Sequence, residues 1–438
     1  MSQHYLKITF LLLVSVHGLS YGQDGSDNAP LVNTGLFSVR SETILSTRFD
    51  FINTATGDFV NDGSVYYYED FTNDGQYGIT TTKKTSSTYF VLNNSSFAKQ
   101  IKGKGLTSLY NVEFDSEWDG VDFDLKNNVD IHGLAHFKKG IVKVDPTINS
   151  STDLPYGMVS FMPQSQHVNV SDQSHIEGEV EKIGKEPFTY PVGDKNRYRP
   201  AMISAPKDIK DAITAKYNIE GPSFFENHKA TTGVIKQLNT AEYWKLEGKL
   251  KTPATVILSL TWDEHTTVLD LLKDPENELH IVRWDEKQQL WVDEGGVVDM
   301  SSRTVTTPAE IKDFGYFTLA TVKTDFILEG DVVIYNLVTP DGDGKNDYFI
   351  IENIRKYPNN RVEIYNRWGV KVYETTNYDP LGDGSTNVFT GYSEGKVTID
   401  KKKKLPSGTY YYVVTYEYKD ANGSRMIKKA ANLHLENQ

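Results

Sequence analysis

Cysteine is absent from all 438 residues. That excludes disulfides, thiolate nucleophiles and cysteine-ligated zinc sites. Past residue 22 no segment approaches the 18 consecutive apolar residues that a membrane helix needs. A sustained 3.6-residue apolar period is missing too, which leaves little room for long helices. The best helix candidate is one short piece, Pro206–Ala215 (PKDIKDAITA). Positive charge is scarce as well: the formal net charge is −13, while residues 326–438 hold 15 Lys and Arg against 15 Asp and Glu. The acidity therefore sits in residues 23–325. It repels phosphate backbones, so nucleic acid is not a partner, and the neutral C-terminal part reads as a separate unit. Residues 23–325 hold no G-x-S-x-G, so a nucleophile elbow is excluded there along with a cysteine nucleophile.

What is present begins with a leader. Lys7 precedes the apolar run Ile8–Val16 (ITFLLLVSV), and small residues follow through Gly22. Residues 1–22 thus read as a secretory signal peptide cleaved after Gly22. Beyond it the chain is rich in Tyr (26) and Phe (20) and reads strand after strand, which predicts an all-β protein. Asp58–Gly63 (DFVNDG) recurs twelve residues later as Asp70–Gly75 (DFTNDG). Short strand-like pieces separated by Gly, Asn and Asp continue to Val144, so residues 23–149 are expected to form a β-solenoid of stacked strands. Residues 150–239 continue this region as β-rich chain in which Pro187, Pro191 and Pro200 interrupt any central strand. Residues 240–325 read as a β-sandwich with Trp244, Trp262, Trp284 and Trp291 in its core. Residues 326–438 read as a small Ig-like β-sandwich of about seven strands, counting Val397–Ile399 and Ala431–Leu435.

The stretch VTPDGDGKNDYFIIEN, from Val338, packs three aspartates into seven residues. As an EF-hand loop starting at Asp341 it fails. Lys345 stands where a ligand belongs, and Asn346 stands where the loop needs Gly. A looser calcium site from Asp341, Asp343 and Asp347 is the one cofactor the sequence offers. Without an ion, the same residues make a compact corner. Pro340 fixes the backbone ahead of it, the glycines accept positive φ, and Asp and Asn side chains bond back to nearby amides.

Three motifs in order, TPDGDGKND (Thr339–Asp347), YPNNRVEIYNRWGVKVYE (Tyr357–Glu374) and LPSGTYYYVV (Leu405–Val414), resemble the gliding-motility-associated C-terminal domain. That domain is the type B sorting signal of the type IX secretion system of Bacteroidota. Two positions depart from its pattern: Asp341 replaces the usual Asn, and Phe389-Thr390-Gly391 replaces a Trp-x-Gly. The resemblance implies a secreted or cell-surface protein that crosses the inner membrane by its leader and the outer membrane through the type IX translocon. It implies a PorP/SprF-like outer-membrane barrel as partner. Carried onto this sequence, the recognised shape comprises Pro340, Asp341, Gly342, Asp343, Gly344, Asn346 and Asp347. To these it adds Tyr365, Asn366, Arg367, Trp368 and Gly369, with Gly408 and Tyr410.

No catalytic constellation stands out in the passenger. His132 and His136 have zincin spacing, but Gly133-Leu134-Ala135 intervene in a strand-like context without the required Glu. Glu117 and Asp119 flank Trp118, which reads as a solvated acidic turn rather than a glycosidase pair. Lys401–Lys404 reads as a solvated loop. The passenger is therefore expected to be non-catalytic, an adhesive or structural module meeting surface glycans or other cell-surface proteins. The alternative is a carbohydrate-binding or carbohydrate-active protein that uses exposed aromatics.

Overall fold

The computed structural model describes residues 29–437 apart from 94–96, 119–120, 145–146, 149–154, 220–221, 233, 249–254, 312, 323–331, 394–403 and 421–422. The expected leader and Val397–Ile399 therefore lie outside the described residues. Among those that are described, no helix is long and apolar enough to cross a membrane.

The chain winds into coils of three short strands each. One coil runs through Phe71–Asn73, Gln76–Gly78 and Ser87–Leu92. The next runs through Lys99–Lys102, Thr107–Leu109 and Asn111–Ser116. Strands at equivalent places pair in parallel, giving three sheets along the axis. Alternation along each strand sends every second side chain inward, and the in-register pairing stacks like on like. On the first sheet Phe51 pairs with Phe71, and Phe71 with Ile101. On the second Phe59 pairs with Tyr77, and on the third Phe90, Phe114 and Phe137 line up. The interior is thus a column of rings. Phe59 and Tyr77 stack at 4.8 Å between centroids, and Phe51 meets Tyr67 at 5.1 Å.

The corners obey a second rule. Asn33, Asn53 and Asn73 sit at one corner of successive coils, and each amide donates to the next residue's oxygen at 2.8 Å. Asn73 then donates to Thr107 at 2.9 Å. Such a ladder satisfies polar groups that would otherwise be buried at a cost. Glycine follows because the corners stack closely. A Cβ on Gly105 would lie 1.9 Å from the Gly75 carbonyl oxygen. The twelve-residue DF-x-NDG repeat turns out not to be the coil. Its two copies form different corners: Asn61 accepts from the Gly63 amide at the end of a second-sheet strand, and Asn73 accepts from Gly75 at the end of a first-sheet strand. The first coils repeat at the twenty residues that separate Asn33, Asn53 and Asn73, and later coils are longer, with thirty residues from Phe71 to its partner Ile101.

The second sheet does not stop where the coils end. It continues into antiparallel strands Ala212–Ile219, Glu242–Gly248, Gly315–Val322, Leu279–Asp285 and Leu290–Gly295. A five-stranded antiparallel sheet that includes Ala201–Ile203, Leu258–Thr261 and Thr304–Thr306 faces it. Leu258, Leu260, Val305, Ile281, Phe317 and Leu319 belong to the same buried cluster as the solenoid rings. The sandwich therefore closes one end of the coil stack, which would otherwise expose unpaired strands and apolar rings. One sheet and one core run across residues 149/150 and 239/240. The fully buried Trp244 and Trp291, with Trp262 and Trp284 scarcely more open, lie in cores as the alternation implies. Pro206–Ala215 is not helical. Ile213, Ala215 and Tyr217 alternate inward on a strand paired on both sides, and that pairing overrides local helix propensity.

At this junction Glu242, fully buried, is held by four side chains. Arg199 contacts it at 3.0 and 3.2 Å, and Tyr217 and Thr267 donate to it at 2.6 Å. Asn239 donates at 3.1 Å. Arg199 also reaches the Thr261 carbonyl at 2.7 Å, which ties the two sheets of the sandwich together.

The C-terminal unit is a five-stranded sheet built on Asn360–Asn366, Lys371–Thr376, Gly408–Asp420 and Gly423–Leu435, with Leu337–Val338 at its edge. Its own core gathers Phe349, Ile364, Tyr378, Phe389, Tyr412 and Tyr416. It touches the passenger sandwich through a small cluster of Tyr365, Val413 and Ala309, and through Lys428, 3.2 Å from Glu294.

Truncating a column ring should be costly. Phe71→Ala is expected to lose about 3–5 kcal/mol, read as a fall in the denaturant midpoint. Lys99 provides a pH test. Burial lowers its pKa from 10.5 to about 7, and its Nζ donates to the Tyr67 and Val91 carbonyls at 2.7 and 2.6 Å. Between those two pH values the unfolded chain binds more protons than the fold, so stability should rise with pH from about 7 towards 10.5. Lys99→Met should abolish that rise in pH-resolved urea melts.

Candidate recognition corners of the C-terminal unit

The Asp-Gly corner is built by its own side chains. Asp347 accepts from the Gly342 amide at 2.6 Å and from the Gly344 amide at 2.8 Å, one on each carboxylate oxygen. Asp341 accepts from Asp343, and Asp343 from Lys345, in successive Asx turns at 3.1 and 2.8 Å. Thr339 donates its amide to the Asn346 carbonyl at 2.7 Å and closes the base. Gly342 and Gly344 have φ of +81° and +84°, which explains the alternating Asp-Gly pattern. Asp341 and Asp343 are exposed, whereas Pro340, Asn346 and Asp347 are half-buried.

The three aspartates do converge. One carboxylate oxygen from each lies within 4.8 Å of the others. Calcium takes six to eight oxygens, so these three would supply only part of a shell. Both oxygens of Asp347 already serve backbone amides, which accounts for the cluster as a folding device.

The second corner is Asn366–Gly369. Asn366 Oδ1 accepts from the amides of Trp368 and Val370, both at 3.0 Å, and Gly369 donates to the Asn366 carbonyl at 2.9 Å. Gly369 has φ of +73°. A Cβ there would meet Ile257 Cδ1 of the preceding sandwich at 1.9 Å, so the corner is seated against that sandwich. Tyr365, just before the corner, is buried against Ala309, and burial with the nearby Glu363 raises its pKa. Trp368 points the other way. It is 69% exposed, and the Arg367 guanidinium lies 4.3 Å from its ring centre. Gly408 begins the long strand, and Tyr410 is buried and donates to the Pro406 carbonyl at 2.8 Å.

A third corner escaped the sequence reading. Asp379, in DPLGDG, accepts from the amides of Gly382, Asp383 and Gly384 through one oxygen. Beside it Tyr378 is buried, donates to the Phe349 carbonyl at 2.6 Å and accepts from the Phe389 amide. Tyr378 thus links the two loops that cover the sheet. The repeated G-D-G was the available signal. Of the passenger's candidate residues, His136 pairs with Glu113 at 2.7 Å, His132 lies in a turn, and Glu117 and Trp118 are exposed. Asp119 and Lys401–Lys403 lie outside the described residues.

Asp347→Ala should leave the Gly342 and Gly344 amides without their acceptor and cost about 1–3 kcal/mol. Hydrogen exchange of the full chain should show lost protection over residues 341–347. Added calcium should leave wild-type protection there unchanged if the amides own the carboxylates, and a gain would reveal an ion.

No curated protein and no solved structure matches the chain significantly. The geometry of three Asp- and Asn-built corners on a small sheet stands beside a sequence finding: residues 332–429 match the family model described as the CHU_C type IX secretion signal domain.

Proposed function

We propose that this is a surface-delivered, non-catalytic protein whose C-terminal unit is read as a folded address and whose solenoid passenger is adhesive or structural. The matched domain supports export by type IX secretion. It implies contact with that machinery and delivery to the cell surface or the medium. The single observation that carries the address reading, beyond the match, is the Arg367–Trp368 corner. Here a tryptophan is left two-thirds exposed beside an arginine guanidinium, and both residue types are enriched at binding hot spots. The rigid Asp-Gly corner would fix the register of that surface, and a PorP/SprF-like barrel is the partner it would meet. For the passenger, support comes from its build. Stacked coils offer long, regular faces suited to extended contact, and the four tryptophans that could have lined a sugar site are spent on cores.

Two experiments test the address. Deleting residues 326–438 should trap the passenger in the periplasm on cell fractionation; its undiminished arrival outside would overturn the proposal. Trp368→Ala should cut export roughly tenfold or more, as loss of a hot spot of about 2 kcal/mol does, while the melting temperature of the purified protein stays put.

A further inference from the structure

Between the second and third sheets the solenoid carries a cleft of about 420 Å³. Its walls come from four successive coils. Lys84 precedes one third-sheet strand, Tyr110 and His132 stand at the same corner of the next two coils, and Gln164 and Gln166 come from the fourth. Strands in neighbouring coils lie about 4.8 Å apart, so the cleft offers a line of side chains along the axis about 14 Å long. A linear array at a constant step fits a polymer better than a compact small molecule.

The lining is chemically specific. The hydroxyl of Tyr110, the imidazole of His132 and the amides of Gln164 and Gln166 are neutral donors and acceptors. Burial lowers the pKa of His132, which keeps the ring neutral. Among the described residues Lys84 is the one charged side chain of the wall, and no carboxylate lines it. None of these five side chains is engaged in a hydrogen bond with another described residue, although their neighbours in the same turns are. Asn111 accepts from the Leu134 amide at 2.9 Å, and Ser165 donates to the Met162 carbonyl at 2.6 Å. Gly133 keeps the floor low: a Cβ there would lie 2.6 Å from Asn111 Oδ1 and 2.8 Å from the Tyr110 carbonyl oxygen. Leu134 supplies an apolar patch, 37% exposed, beside the polar groups.

We infer that this cleft binds a linear, uncharged glycan laid along the solenoid axis, an inference that rests on the adhesive reading of the passenger. Neutral hydroxyl-bearing units repeating along a chain match neutral donors and acceptors repeating from coil to coil. A polyanion would find one lysine in an otherwise acidic passenger. A peptide would gain little here, because the strands run across the axis and present no edge along the cleft for strand addition.

The test is affinity gel electrophoresis of the purified protein in gels cast with dextran, laminarin, mannan, xylan or hydroxyethylcellulose, with alginate as the anionic comparison. At least one neutral polysaccharide should retard the protein. The double variant Tyr110→Ala/Gln164→Ala should weaken that retardation about tenfold while melting at the wild-type temperature, and Lys84→Ala should weaken it less. Retardation by none of the neutral polymers, retardation by alginate alone, or retardation unchanged in the double variant would each overturn the inference. Export is read by fractionation of cells and binding by gels on purified protein. A silent gel therefore leaves the address standing, and failed export leaves the cleft standing.

Discussion

Everything in the passenger depends on keeping parallel strands in register from coil to coil. A slip by one residue would turn every inward ring out to solvent, so the column of Phe and Tyr is both the core and the device that sets the register. The asparagine ladder from Asn33 to Asn73 reinforces it at a corner, where a misplaced coil would strand buried amides. Two different forces, apolar stacking inside and amide pairing at the bend, therefore specify one alignment. Agreement of that kind lets a long stack of near-identical layers settle on a single structure.

The sandwich at the end of the coils meets a separate demand. A solenoid needs an end that does not invite further stacking, and here the second sheet changes from parallel to antiparallel and folds a second layer over itself. Glu242 marks the place. A carboxylate with no solvent contact is held by a guanidinium, a phenol, a hydroxyl and an amide drawn from separate strands and loops. Removing Arg199 would leave an unpaired buried charge, and removing any of the other three would leave the carboxylate a donor short, so the network defines where coil gives way to cap.

Much of this was legible from residue order. Alternation of rings with polar residues announced strands, and Gly, Asn and Asp announced their corners. The Asp-Gly and Asn-Arg-Trp-Gly corners could be read because their shape is made by side chains bonding to amides two to five residues away, and such local chemistry survives in sequence. The coil length was misjudged. DF-x-NDG describes a corner, and corners of the same make occur on different sheets. The second misreading was Pro206–Ala215, where local propensity was overruled by pairing partners far along the chain. The continuous core across residues 149/150 and 239/240 was hidden for the same reason. The axial cleft could not be seen at all, because Tyr110, His132 and Gln164 become neighbours only after the coils stack.

The seat of Gly369 on Ile257 has one more consequence. Two folded bodies that share a contact stabilise one another by equal amounts, whichever is considered first. A passenger whose sandwich has not closed lacks a formed surface at Ile257, so the turn that displays Arg367 and Trp368 loses its backing. That turn is thereby stiffer when the sandwich beside it is closed than when it is open, so its order reports on the folding of a separate unit.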